Sequence, residues 1–289
     1  MNRAGLRMRG FDDENDVKGA LYLDLVNNND RQRIGEFLAR AYEGEASQFE
    51  FESCGLPKKI YASSLVPIVD KNGHIEKLIG ITEDVTERKN AEEQLRLFAF
   101  YDPLTHLPNR RLLNDRLEQA MSASKRNGYY SALLFLDLDN FKTLNDTRGH
   151  DIGDLLLIEV ARRISACLRE MDTVARFGGD EFVVLITSLD VDKKAAYDKA
   201  YVVAEKIRLV LAESYSLLCK QADNPESEIK CYSTASIGVV LFTNHNASKE
   251  EIIKLADAAT YDAKAGGRNQ VSFSQKAESL QEKNNIIRV

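Results

Sequence analysis

Three acidic residues, at two places in the chain, are spaced as a divalent-cation site would need. Asp137 follows a continuous apolar run, Ser131–Leu136, that reads as a buried central strand. Asp180 and Glu181 stand side by side in Arg176-Phe177-Gly178-Gly179-Asp180-Glu181-Phe182, between two strand-like runs, Asp172–Phe177 and Phe182–Ile186. β-Formers flanking a glycine pair predict a hairpin, with the glycines supplying φ > 0 at the turn. Taken alone, Gly-Gly-Asp is also ordinary chemistry for a solvated turn. Adjacent strands lie about 4.8 Å apart, so carboxylates from a strand end and a hairpin tip can converge, and their repulsion then requires a cation. Hard oxygen donors without His or Cys suit Mg²⁺ or Mn²⁺, and the backbone carbonyl of Leu138 adds another oxygen.

Mg²⁺ in such a site completes its shell with substrate phosphates. The turn Leu138–Phe141, which includes Asn140, leaves strand hydrogen bonding, so its N–H groups are expected to cradle phosphate oxygens with Lys142 as the cationic partner. Lys264 and Arg268 flank Gly266-Gly267 at the end of the last helix, where cations also complement a helix C-terminus before a glycine cap. Between strand and helix lies Asn145–Asp154, one of whose aspartates is expected to cap the helix. A second reading makes Asp154 the acceptor of guanine N1–H and N2–H and matches the Asn145 amide to an acceptor–donor edge. Adenine has no such donor pair.

The chain that must position these groups has 289 residues, 44% hydrophobic and 29% charged, enough for one large domain or two ordinary ones. A net charge of −6 argues against a nucleic-acid coat or a polybasic membrane anchor. Four scattered cysteines without a CxxC pair, no long apolar run and no leader-like start lead us to expect a cytoplasmic protein with no membrane segment. Asn29–Tyr42 has helical spacing, and three strand-like runs follow, Gln48–Cys54, Lys58–Val69 and Ile75–Thr82, the last two joined by Asp70-Lys71-Asn72-Gly73. Asp84 and Glu87 fit a capping box for a helix with an apolar stripe at Ala91, Leu95 and Phe98, which could pair with the same stripe of a second chain. Two prolines in Tyr101–Arg110 end that helix. Helices are then expected over Leu112–Lys125, Asp154–Leu168, Lys193–Glu213 and Glu250–Ala265, a strand over Ala235–Phe242, a polar loop over Gln221–Glu228 and a charged tail over Gln275–Val289. The expected class is α+β, a mostly antiparallel sheet with helices on one face or flanking it.

Residues 1–86, with helices before an antiparallel meander that closes on Asp84-Val85-Thr86, resemble the second half of a PAS sensor domain. Two strands that open such a domain are missing from this stretch, so the domain is expected to be N-terminally incomplete. Residues 87–101 form the helical connector, and 276–289 the tail. Over residues 102–275, the motifs Asp137–Lys142, Asn145–Asp154, Gly178-Gly179-Asp180-Glu181-Phe182 and Lys264–Arg268 resemble the GGDEF family of diguanylate cyclases. The resemblance implies a nucleotidyl-cyclase-like (ferredoxin-like palm) fold and a homodimer that condenses two GTP into cyclic di-GMP with release of pyrophosphate. It implies that Asp137, Asp180, Glu181 and the Leu138 carbonyl hold Mg²⁺ or Mn²⁺, with Asp180 or Glu181 accepting the 3′-hydroxyl proton. Lys142, Lys264 and Arg268 would clamp phosphates, and Asn145, His150 and Asp154 would line the guanine pocket. Arg169-Glu170-Met171-Asp172 matches the family's inhibitory product site, where Arg169 and Asp172 would hold cyclic di-GMP; an i, i+3 ion pair is the bland account of the same residues. None of these positions is substituted, which disfavours a non-catalytic receptor for GTP or cyclic di-GMP. An adenylyl cyclase or a polymerase palm shares the carboxylate geometry without needing the Asn145/Asp154 pair.

Overall fold

The structure is a computed structural model, and it describes residues 21–54, 57–221, 224–243 and 247–274 together with isolated positions 6, 13, 15 and 19. The chain separates into two compact units, 1–96 and 97–289. The expected tail lies outside the described residues. So does the N-terminal edge where the PAS-like sheet is expected to be incomplete.

In the first unit, helix α1 (Arg31–Tyr42) precedes an antiparallel sheet of β1 (Ser47–Glu52), β2 (Ile60–Val69) and β3 (Ile75–Asp84), in the order β1-β2-β3. Burial alternates strictly along β1, the mark of a strand with one face in a core. Phe49 and Phe51 point inward with Tyr61 and Leu65 from β2, and Val26 and Ile34 close the cluster. Asp70 makes the β2–β3 turn by accepting from the N–H groups of Asn72 and His74, while Gly73 takes φ +84°. The capping box expected at Asp84 does not form. Helix α2 runs from Thr86 to Phe100, and the Asp84 carboxylate instead accepts from the Thr86 N–H and hydroxyl, just outside the helix.

The second unit carries a five-stranded sheet in the order β10-β9-β4-β6-β5. Its members are β4 (Ser131–Leu138), β5 (Thr173–Gly178), β6 (Glu181–Ile186), β9 (Ala235–Phe242) and β10 (Val271–Phe273). Every pairing is antiparallel except β10 with β9. The continuous apolar run in β4 has a simple cause: helices cover both faces of the sheet. Leu134, Leu136 and Leu138 face α5 (His150–Cys167) and α6 (Lys193–Leu211). Leu133 and Phe135 face α3 (Arg110–Asn127) and α7 (Lys249–Ala265). Each fully buried leucine of this kind contributes about 1.5–3 kcal/mol.

Local chemistry sets the helix ends. Asn109 caps α3 by accepting from the N–H groups of Arg111 and Leu112, and Gly128 ends that helix at φ +75°. Ser248 and Glu251 form a capping box on α7. Four elements of the second unit go beyond the sequence expectations. A short helix, α4 (Phe141–Arg148), fills the stretch expected to join strand and helix, and β10 extends the sheet. In addition, β7 (Tyr215–Gln221) pairs with β8 (Asn224–Cys231) across the stretch expected to be a polar loop. Tyr215 and Leu217 from one strand and Ile229 and Cys231 from the other turn one face of the ribbon to the core, an alternation of only two apolar residues per strand and so a weak signal in the sequence. Among the described residues no helix is long and apolar enough to cross a membrane.

Candidate active site at the hairpin tip

Asp137 is the last but one residue of β4, and its register partner on β6 is Glu181. The sheet thus sets the two carboxylates opposite each other across a strand pair. The hairpin turn is made by Gly179 at φ +50°; Gly178 has no positive φ, so only one of the two glycines supplies the left-handed conformation expected of both. Arg176 fixes this turn from below. Its guanidinium donates to the Gly179 carbonyl at 2.8 and 3.0 Å and pairs with Asp102 at 3.1 Å. Asp102 in turn accepts from the N–H and hydroxyl of Thr105, closing the turn that follows the connector helix. Sequence reasoning passed over Arg176 and Asp102, because an arginine and an aspartate 74 positions apart carry no local signal.

The electrostatics mark the same point. Burial, with the charges of Asp180 and Asp139 adding to it, pushes the Asp137 carboxyl up against the opposing pull of Lys264. Glu181 is raised by burial first, then by Asp137, Asp257 and Asp180. The Lys264 ammonium lies 2.6 Å from Asp137 Oδ2, so it serves a carboxylate across the site and not merely the C-terminus of its own helix. Among the described residues, no group of three or more His, Cys, Asp or Glu side chains is arranged to hold a metal ion. The donor chemistry still fits a hard divalent cation: oxygen ligands in excess, mutually repelling, half-buried and answered by one lysine.

The open backbone N–H groups sit one step further along the chain than the expected cradle. The Leu138 N–H donates to the Asp180 carbonyl and the Asp139 N–H to the Thr234 carbonyl, so neither is open. Asn140 then adopts φ +60° and starts α4, whose first turn presents the N–H groups of Phe141, Lys142 and Thr143 with no acceptor inside the helix. Lys142 and Arg268 have no side-chain partner among the described residues, which leaves both cations available to an anion.

Asn145 lies on α4, His150 opens α5, and Asp154 follows one turn later. The aspartate cap expected for α5 is absent. Its N-cap is Gly149, at φ +86°, and no side chain caps it. The Asn145 amide presses on Gly153, where a Cβ would collide with Asn145 Oδ1, and the Phe141 ring stands 3.3 Å from the same point. Asn145 Oδ1 is buried against Gly153 with no hydrogen-bond partner among the described residues. At the other candidate site, Arg169 and Asp172 do not form the bland i, i+3 ion pair. Asp172 Oδ2 accepts from the Arg169 backbone N–H at 3.1 Å, its Oδ1 is buried and unpaired, and the Arg169 guanidinium has no partner among the described residues. A cleft of about 860 Å³ also borders the hairpin, lined by Arg110, Asn114, Arg176 and Phe177, but none of the expected substrate-binding residues lines it.

Comparison with known proteins agrees with this arrangement. The chain belongs to the GGDEF domain family: the family model described as diguanylate cyclase, GGDEF domain, matches residues 99–270. Residues 1–90 match a model of the PAS fold. Over 192 residues the chain is 42% identical to the bifunctional diguanylate cyclase/cyclic di-GMP phosphodiesterase MucR of Pseudomonas aeruginosa, covering 66% of this chain and 26% of MucR. It is 34% identical over 198 residues to the probable diguanylate cyclase DgcT of Escherichia coli, covering 68% of this chain and 38% of DgcT. The crystal structure of the coiled coil and GGDEF domain of DgcB from Caulobacter crescentus, in complex with c-di-GMP, superposes with a TM-score of 0.55 at 30% identity, over 65% of this chain and 93% of that one. The chain thus spans 26% and 38% of the length of the two curated relatives.

Proposed function

We propose that this chain is a diguanylate cyclase, which joins two GTP molecules, one per subunit of a homodimer, into cyclic di-GMP and two pyrophosphates. The observation that carries the reading is the Asp137–Glu181 register pair, two carboxyls each raised by burial and by neighbouring carboxylates, with the Lys264 ammonium against Asp137. Asp137, Asp180, Glu181 and the Leu138 carbonyl are the residues that would hold Mg²⁺ or Mn²⁺. Such an ion lowers the pKa of an attacking hydroxyl and neutralises the leaving phosphates.

The protein's own groups do the rest. Asn145, His150 and Asp154 bind guanine, a role supported by their place at the junction of α4 and α5. Lys142, Lys264, Arg268 and the first-turn N–H groups of Phe141, Lys142 and Thr143, set by the turn at Asn140, hold the triphosphate, which aligns the α-phosphorus with the 3′-oxygen of the facing nucleotide. In each half-reaction a 3′-O–Pα bond forms as the Pα–O bond to pyrophosphate breaks. Asp180 or Glu181 accepts the hydroxyl proton, and a raised carboxyl pKa makes the better base. Cyclic di-GMP then binds back at Arg169 and Asp172, whose free guanidinium and unpaired Oδ1 match a phosphate and a base N–H. The PAS-like unit modulates turnover through α2.

Incubating the chain with GTP and Mg²⁺ and separating the products by chromatography tests this reading. Cyclic di-GMP is expected from the parent and at least 100-fold less, by order of magnitude, from Asp137→Ala at unchanged folding. GTP bound but unconverted by the parent would make the chain a nucleotide receptor.

A further inference from the structure

Two residues beyond Asp137, the Asp139 side chain is buried, only 6% exposed, and it joins three segments of chain. Its Oδ1 accepts from the Ser236 hydroxyl at 2.7 Å, and its Oδ2 from the Thr234 hydroxyl at 2.6 Å and from the Asn269 backbone N–H at 3.1 Å. Thr234 and Ser236 lie at the start of β9. Asn269 lies in the turn that leaves α7, immediately after Arg268.

That turn is not one the chain adopts without restraint. Arg268 and Asn269 have φ of +64° and +44°, successive residues with side chains in the left-handed region. For L-residues this region is unfavourable, less so for asparagine, so two in a row require outside support. Four contacts supply it. The Arg268 N–H donates to the Ala263 carbonyl, the Arg208 guanidinium donates to Asn269 Oδ1 and to the Asn269 carbonyl, and the Asn269 N–H donates to Asp139. Two of these are charge-assisted bonds to the turn's own backbone, and the shorter, to Asp139, ties the turn to the strand end that carries Asp137.

We infer that Asp139 is a positioning residue for substrate phosphate: its carboxylate holds the Arg268–Asn269 turn in its left-handed form, and so sets Arg268 beside the Lys264–Asp137 pair. This rests on the diguanylate cyclase reading for the identity of the anion. Asp139 is expected to touch no substrate atom. Its effect should appear as a loss of grip on the β- and γ-phosphates alone, with the guanine pocket on α4 and α5 intact.

The test compares, in the full chain with Mg²⁺, calorimetric affinities for α,β-methylene GTP, which does not react, and for GMP, which lacks the outer phosphates. Asp139→Ala is expected to weaken the GTP analogue about tenfold, within the range for a hydrogen bond to a charged group, and to leave GMP within about twofold. Asp139→Asn, which keeps an acceptor for the Asn269 N–H, should recover most of the loss. Thr234→Val with Ser236→Ala, which spares that bond, should lose less than Asp139→Ala. Should Asp139→Ala fail to fold, Asp139→Ser takes its place, its hydroxyl being too short to reach Asn269. Equal losses for both nucleotides, no loss for either, or a double variant as weak as Asp139→Ala would each overturn the inference. A parent chain that binds the GTP analogue no better than GMP would instead refute the phosphate-clamp reading on which it rests.

Discussion

At Glu181, burial and the charges of Asp137, Asp257 and Asp180 all push the carboxyl the same way, upward. The folded chain therefore keeps this proton to higher pH than the unfolded chain does. The sign follows: stability from this site is fully present below the ordinary carboxylate range and is lost as pH rises through the raised folded value. Removing the charge should thus help the fold while ending the chemistry. Glu181→Gln is expected to raise Tm in metal-free buffer, more at pH 8 than at pH 4, while abolishing cyclic di-GMP formation. A Tm gain that is the same at both pH values would contradict the proposed repulsion. Arg169 poses a different question at the same scale, because its guanidinium has no partner among the described residues while Asp172 Oδ1 stays buried and unpaired. Arg169→Ala should leave initial turnover within about twofold and weaken inhibition by added product at least tenfold, the loss of one charged hydrogen-bonding partner. Inhibition curves that superimpose on the parent's would remove Arg169 from that site.

At the scale of elements, what positions the site is how closely α7 packs on the sheet. A Cβ on Gly238, in the middle of β9, would run into the Ala256 carbonyl and the Thr260 backbone and hydroxyl of α7. Thr260 completes the seam by donating to the Phe135 carbonyl of β4 at 2.9 Å. Because Lys264 lies one turn beyond Thr260, the spacing of helix and sheet also sets the reach of its ammonium to Asp137. Gly238→Ala should accordingly cost about 1–3 kcal/mol, the range for overpacking, and raise KM for GTP. Urea unfolding and steady-state kinetics would measure the two effects. Both sides of β4 were legible from its unbroken apolar run, as were α3, α5, α6 and α7 from their periodicity. Helix α4 was not. Phe141–Arg148 is short and polar, and it folds as a helix because Asn140 turns left-handed and Phe141 is buried against α5.

For the molecule as a whole, the connector helix matters most. No residue of α2 is buried; Leu95 is 69% and Phe98 63% exposed. Catalysis between two facing nucleotides needs two subunits, and an apolar stripe left open on the connector is where a second copy would bury area. Leu95→Asp combined with Phe98→Asp is expected to shift sedimentation at micromolar concentration towards monomer. Turnover per chain should then rise with protein concentration instead of staying constant. Unchanged sedimentation would place the dimer contact elsewhere.

The carboxylates, the glycine turn and the proposed guanine-reading pair were named from residue order alone, because metal, phosphate and base chemistry restrict side-chain types at short spacing. The helix and strand periods were readable for a similar reason: burial on one face repeats every few residues. Long-range closure was not. That Asp137 faces Glu181, that Lys264 reaches Asp137, that Arg176 is held by Asp102, and that Asp139 holds the turn after α7 are all matters of strand register and helix packing. Those contacts join residues far apart in the chain, and only the tertiary fold brings them within bonding distance.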